Sequence, residues 1–331
     1  MQRIRGWKMV FALGCVVIGG VDADISASTR PPLPYTDLAT PFRNVATETA
    51  GQAETLRIAE IRSRMNGMLP GIYPAGPTYD TRIADALRRF PAVRSDYDRI
   101  VAVFPVALHD AIGRFETIYP HFESPLPIYL YHSLGQRDGG SDYLEPGHRH
   151  VMLFGADMIA KYHSDDSLEP FLIHEIFHLE HARHFADCDQ LWCTIWQEGL
   201  AVEATAMMLP NATDHQLLLD IPAPIRGPTD ARWAAALCFV AEHFEDTASA
   251  ATASALLMGG NPPQGLPDRF GYYVGVRLAQ ATGLSIGRLS RLDNQQARPV
   301  ARAALVKLID DARAPCTEAA HPATAARGDR S

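Results

Sequence analysis

Apolar side chains recur along this chain with two different periods, and the switches between them lay out the expected elements. Leu56, Ile58 and Ile61 fall at helical spacing within residues 49–66, and Ile83 and Leu87 do so within 80–90. Pro70, Pro74 and Pro77 separate the two stretches. Residues 95–117 read as a further helix, broken at Pro105. Pro127-Ile128-Tyr129-Leu130-Tyr131 reads as a strand, Gly139-Gly140 as a turn, and His150 to Phe154 as a second strand expected at the sheet edge. Residues 229–244, 268–282 and 295–312 are Ala- and Leu-rich and helical in pattern. No internal repeat appears.

The densest apolar stretch is Phe171, Leu172, Ile173, Ile176, Phe177 and Leu179. Asp166-Ser167-Leu168-Glu169 is a capping-box-like start for it, with Pro170 in the first turn. A helix apolar on nearly every face is buried, so its polar exceptions need partners or a metal. Those exceptions are His174, Glu175 and His178.

Together they spell His-Glu-Ile-Phe-His, an H-E-x-x-H motif. One helical turn separates the two histidines, roughly 6 Å along one stripe. Both rings can therefore reach a single ion at about 2.0–2.1 Å. Glu175 points off the stripe, placed to take the proton of a zinc-bound water and not to ligate. Twenty residues past His178, Glu198 offers the third ligand of an open zinc site, within Trp196-Gln197-Glu198-Gly199-Leu200-Ala201.

This second segment resembles the E-G-F-A segment of gluzincin peptidases, in which a helical glutamate is the third zinc ligand. Glu198 lies one residue beyond the spacing found in the aminopeptidase N-type members. Val151-Met152-Leu153-Phe154-Gly155-Ala156-Asp157 and Gly271-Tyr272-Tyr273-Val274-Gly275 are similar to stretches of compact bacterial proteins described as zinc-dependent proteases. The resemblance is specific over residues 150–205 and diffuse elsewhere. It implies zinc ligation by His174, His178 and Glu198, with Glu175 as general base. In that family an extended substrate pairs with the sheet-edge strand, here 150–154. A tyrosine or histidine from a later helix stabilises the oxyanion. Tyr272 is the first choice, Tyr273 its near equal, and His215 and His243 follow; both tyrosines read equally well as core aromatics.

Two departures limit the transfer. No G-x-M-E-N segment occurs, so binding of a free amino terminus is not implied. Glu203 stands where those enzymes have an aromatic residue, and reads as a surface or supporting carboxylate.

Metzincins use H-E-x-x-H-x-x-G-x-x-H, and His184 has the spacing of the last histidine. His181 occupies the glycine position, however. Without glycine the helix is expected to continue, carrying His184 about 240° round from His178. His181 and His184 then read as helix C-terminal residues, where the dipole favours positive charge.

Composition adds a compartment. Met1 to Lys8 is basic, Met9 to Val21 is apolar and too short to span a membrane, and Val21-Asp22-Ala23 fits signal peptidase. The expectation is a signal peptide over 1–23 and a periplasmic or secreted protein with no membrane span in the mature chain. A formal net charge of −8 gives no reason to expect nucleic acid as a partner. Removing Cys15 leaves Cys188, Cys193, Cys238 and Cys316, an even number that reads as two disulfides. The favoured pairing is Cys188–Cys193 and Cys238–Cys316, one of three, and the first requires a new helix to begin after Cys188.

The sequence thus predicts an α+β, mostly helical protein, in which a small mixed sheet packs on the H-E-x-x-H helix, gluzincin- and thermolysin-like, with a helical C-terminal lobe. An extended lead over 24–48 precedes the domain at 49–312, and a disordered tail covers 313–331. The expected activity is zinc-dependent hydrolysis of peptides or proteins. The alternatives are an inactive peptide-binding protein on the same fold, or a zinc hydrolase of a non-peptide amide.

Overall fold

The computed structural model describes residues 35–186, 188–247 and 265–316. The expected signal peptide lies outside them.

The chain enters through a short strand, β1 (Tyr35–Asp37), and a helix, α1 (Ala39–Glu48). The expectation of an extended lead to residue 48 is therefore corrected over its second half. Phe42, Val45 and Ala46 repeat at helical spacing and are buried, while Pro41 falls in the first turn, where no helical N–H is needed. Helix α2 (Glu54–Met68) follows. Helix α3 (Pro77–Phe115) then runs 39 residues without a break, through both Pro91 and Pro105. Each proline removes one backbone bond, but Phe90, Tyr97, Phe104, Leu108 and Phe115 form a buried stripe that spans both positions.

Strands β2 (Ile128–Tyr131), β3 (Ser141–Leu144) and β4 (Arg149–Gly155) complete a mixed sheet in the order β1-β2-β4-β3. The β1–β2 and β2–β4 pairs are parallel, and β3 runs antiparallel to β4. The strand at 150–154 is thus interior, not the edge. The edge on that side belongs to β3, whose Ser-Asp-Tyr-Leu gave no apolar alternation to read.

After α4 (Ala156–Tyr162) come the two helices that matter most, α5 (Asp165–His181) and α6 (Leu191–Met208). Helix α5 is capped by Ser164 with a capping box to Ser167, two residues earlier than expected. Pro170 consequently sits in the second turn. The Asp166 carbonyl, which Pro170 cannot serve, accepts a hydrogen bond from Gln216 Nε2 at 3.1 Å. Phe104 of α3 packs tilted on Phe154 of β4, and Phe154 meets Phe171 of α5 edge to face, at centroid distances of 5.4 and 6.0 Å, tying helix, sheet and helix together.

The C-terminal part is helical: α7 (Arg226–Asp230), α8 (Trp233–His243), α9 (Phe270–Ala281), α10 (Ile286–Leu289) and α11 (Asn294–Ala312). The fold is α+β and mostly helical. Helix α9 crosses α6 where two glycines meet, and a Cβ on Gly275 would stand 2.2 Å from the Ile195 carbonyl oxygen. Both disulfides take the favoured pairing, Cys188–Cys193 and Cys238–Cys316, with Cα separations of 6.1 and 5.0 Å. They mark an oxidising, exported environment. The second holds Cys316 to α8, so the tail does not begin at 313 as expected; residues 317–331 lie outside the described ones. Among the described residues no helix is long and apolar enough to cross a membrane.

Candidate metal centre

Helices α5 and α6 are joined by a short connection that Cys188–Cys193 closes, and they bring three ligand atoms to one point. His174 Nε2 lies 3.2 Å from Glu198 Oε2 and 3.1 Å from His178 Nε2, and His178 Nε2 lies 3.6 Å from the same carboxylate oxygen. Donors at about 2.0–2.1 Å from a tetrahedral ion stand about 3.3 Å apart. The three separations bracket that value, and two imidazole nitrogens facing each other beside a carboxylate suit a cation. Among the described residues this is the group of histidine, cysteine and acidic side chains that could hold a metal ion.

The electrostatics agree. Burial works against the Glu198 carboxylate, but the adjacent histidines outweigh it and hold its pKa well below the usual carboxylate range. Burial acts to lower His178 too, yet Glu198 raises it to about 8. His174 is lowered, mainly by burial.

Glu175 is not a member of the ligand group. It rests against the Gly139 backbone, where an added Cβ would come within 2.7 Å of its carboxyl carbon. A side chain there would press on the Glu175 carboxyl group and the Phe171 ring. Desolvation pushes Glu175 up to about 8.

Gly139 is held in turn by its neighbour Asp138. The Asp138 carboxylate accepts from the Gly139 N–H at 3.0 Å and lies 3.0 Å from His163 Nε2, while its carbonyl accepts from the Gly155 N–H at 2.8 Å. Burial acts to raise the Asp138 pKa, but the hydrogen bond and charge of His163 together with backbone N–H groups outweigh it and lower it. His163 is buried and packs on Phe171. Sequence spacing gave no sign of this pair, because twenty-five residues and three elements separate its members.

The ligand group, Glu175 and Asp138 face a cavity of about 580 Å³, walled by the Gly139–Ser141 edge, by α5 and by Tyr272 with Arg269. Of the four oxyanion candidates, Tyr272 lines the cavity, its ring 6.3 Å from that of His174. Burial pushes its phenol well above the usual value, so it stays a donor. Tyr273 instead donates to Asp230 at 2.9 Å, away from the cavity. His215 is engaged by Ser164 and Asp220, and His243 by Asp246. Arg269 had no sequence signal beyond its place just before a helix.

The remaining expectations fall as follows. Helix α5 ends at His181 and does not continue, and His184 lies in the exposed turn after it, outside the ligand group. His181 is at the helix end as expected but is not charged: burial lowers it to about 3. Glu203 accepts from Gln280 Nε2 at 2.9 Å, linking α6 to α9. No family model, curated protein or solved structure matches the chain.

Proposed function

We propose that this chain is an exported zinc-dependent peptidase of gluzincin type, with a thermolysin-like arrangement of edge strand, active helix and glutamate helix. The observation that carries the reading is the convergence of His174, His178 and Glu198 at tetrahedral spacing, with Glu175 one residue along and outside the ligand group. Zinc held there supplies Lewis-acid polarisation of the scissile carbonyl and acidifies water in the cavity.

The chain's own groups do the rest. Glu175 accepts the proton of the attacking water and passes it to the leaving amine. Its desolvated site raises its basicity, and its carboxyl group packs against Gly139. The neutral Tyr272 phenol donates to the oxyanion as it forms. An extended peptide adds to the open edge at β3, where the backbone at Gly139, Gly140 and Ser141 borders the cavity. Its main chain is then read by hydrogen bonds common to all sequences. Metal analysis of the purified protein, combined with cleavage of a mixed peptide library, tests the reading: one zinc per chain and peptide-bond hydrolysis are expected.

A further inference from the structure

Two guanidinium groups line the cavity, Arg183 and Arg269. Arg183 is engaged: its Nε lies 3.0 Å from the Glu180 carboxylate, and it also donates to the Glu123 carbonyl. Arg269 differs. Its Nη1 donates to the Ile221 carbonyl at 2.8 Å and its face lies 4.3 Å over the Tyr272 ring, but it forms no salt bridge among the described residues. Those two contacts fix the plane of the fork and leave further N–H donors for a ligand.

Of the cavity's carboxylates, Glu198 faces both histidines and Asp138 is taken by His163 and the Gly139 N–H, while Glu175, packed on Gly139, is the one assigned to the reaction. Arg269 is the cation of this cavity left to meet an anionic group of a ligand. Arg269 also holds a backbone conformation, φ 62° and ψ 17°, that few non-glycine residues adopt, at the head of α9. The Tyr272 ring that it overlies has its centroid 6.3 Å from the His174 ring, so Arg269 stands close to the ligand group.

We infer that Arg269 is a specificity residue that binds a carboxylate of the substrate, so that the protein selects peptides with an acidic group close to the scissile bond. The inference rests on the peptidase reading for the reaction, though not for the binding. An extended peptide advances about 3.3 Å per residue, so a carboxylate within about three residues of the scissile bond can reach Arg269 beside the Tyr272 ring. A planar fork gives two parallel charge-assisted hydrogen bonds to a carboxylate, which an amide of the same shape cannot accept. The carboxylate is either a free carboxyl terminus or an acidic side chain, and the two are separable.

The test uses two pairs of peptides on the zinc-loaded protein. One pair differs only in a free or amidated carboxyl terminus, the other only in Glu or Gln within three residues of the scissile bond. In one pair the carboxylate member should have the higher kcat/KM by at least about tenfold, while Arg269→Met should bring that ratio within about threefold and Arg269→Lys should keep part of it. The responding pair identifies the source of the carboxylate. Binding of the same pairs to Glu175→Gln, read by fluorescence anisotropy, should show the same preference without turnover. Equal binding and equal kcat/KM within both pairs on the otherwise unchanged protein overturns the inference, as does a preference that survives in Arg269→Met. If neither pair is cleaved while the binding preference stands, the carboxylate site is upheld and the peptidase reading fails.

Discussion

Gly199 of α6 and Gly275 of α9 meet backbone to backbone: a Cβ on Gly199 would stand 2.1 Å from the Gly275 carbonyl carbon. The contact sets the distance between the helix that supplies Glu198 and the helix that supplies Tyr272. The glycine after the ligand glutamate therefore has a packing reason of its own.

Gly275→Ala should accordingly do more than an ordinary surface substitution. The methyl would meet backbone, which cannot rotate away, and overpacking of this kind costs about 1–3 kcal/mol. The expected outcome is a lower denaturant midpoint together with reduced activity at full zinc occupancy, because α9 must back away and take Tyr272 with it. An unchanged midpoint would contradict the close crossing.

Glu198→Ala should lose zinc and activity together, whereas His184→Ala should keep both. Metal content of the two purified variants decides between them. Zinc loss on removing His184 would transfer the third ligand to that residue, against its place in the exposed turn beyond α5.

Zinc uptake should depend on pH. In the metal-free protein Glu198 holds His178 at about 8, so its ring is protonated at neutral pH and must lose that proton to ligate. Glu175, also raised to about 8, gains the negative charge that favours a cation over the same range. Affinity should therefore rise from pH 6 to 8, by up to about tenfold per unit for each proton released, and level off above. Glu198 stays ionised throughout and adds no slope. Competition titrations against a chelator would show this, and a flat profile over that range would contradict it.

The disulfides should differ in their contribution to stability. Cys188–Cys193 closes a separation of 5 residues and Cys238–Cys316 one of 78. By loop-closure entropy the first is worth about 2 kcal/mol and the second about 4.5 kcal/mol. Cys316→Ser should therefore lower the unfolding free energy by roughly twice as much as Cys188→Ser.

How much of this was legible in the sequence follows from how local each signal is. The His174–His178 stripe is set within one turn of helix, and Glu198 sits in a short apolar segment of its own, so the ligand group could be read in advance. The helix over 77–115 could not, because Pro91 and Pro105 are local breakers that a long buried stripe overrides. Strand β3 is four largely polar residues whose pairing with β4 is visible only in three dimensions, and missing it turned an interior strand into an edge. Phe42, Val45 and Ala46 did spell a helical period, masked by the prolines and threonines around them. Asp138 and His163 were missed because each acts through a partner remote in sequence, and Arg269 because a single arginine ahead of a helix carries no pattern of its own.

The most direct test of the central claim is the isosteric change Glu175→Gln. The side chain lies outside the ligand group, so zinc content and folding should match those of the unsubstituted protein. The amide cannot accept the water's proton, and loss of a general base costs about 10²–10⁴-fold. The account predicts peptide hydrolysis reduced at least about a hundredfold with peptide affinity little changed. Equal hydrolysis by the two proteins, at equal zinc content, would contradict it.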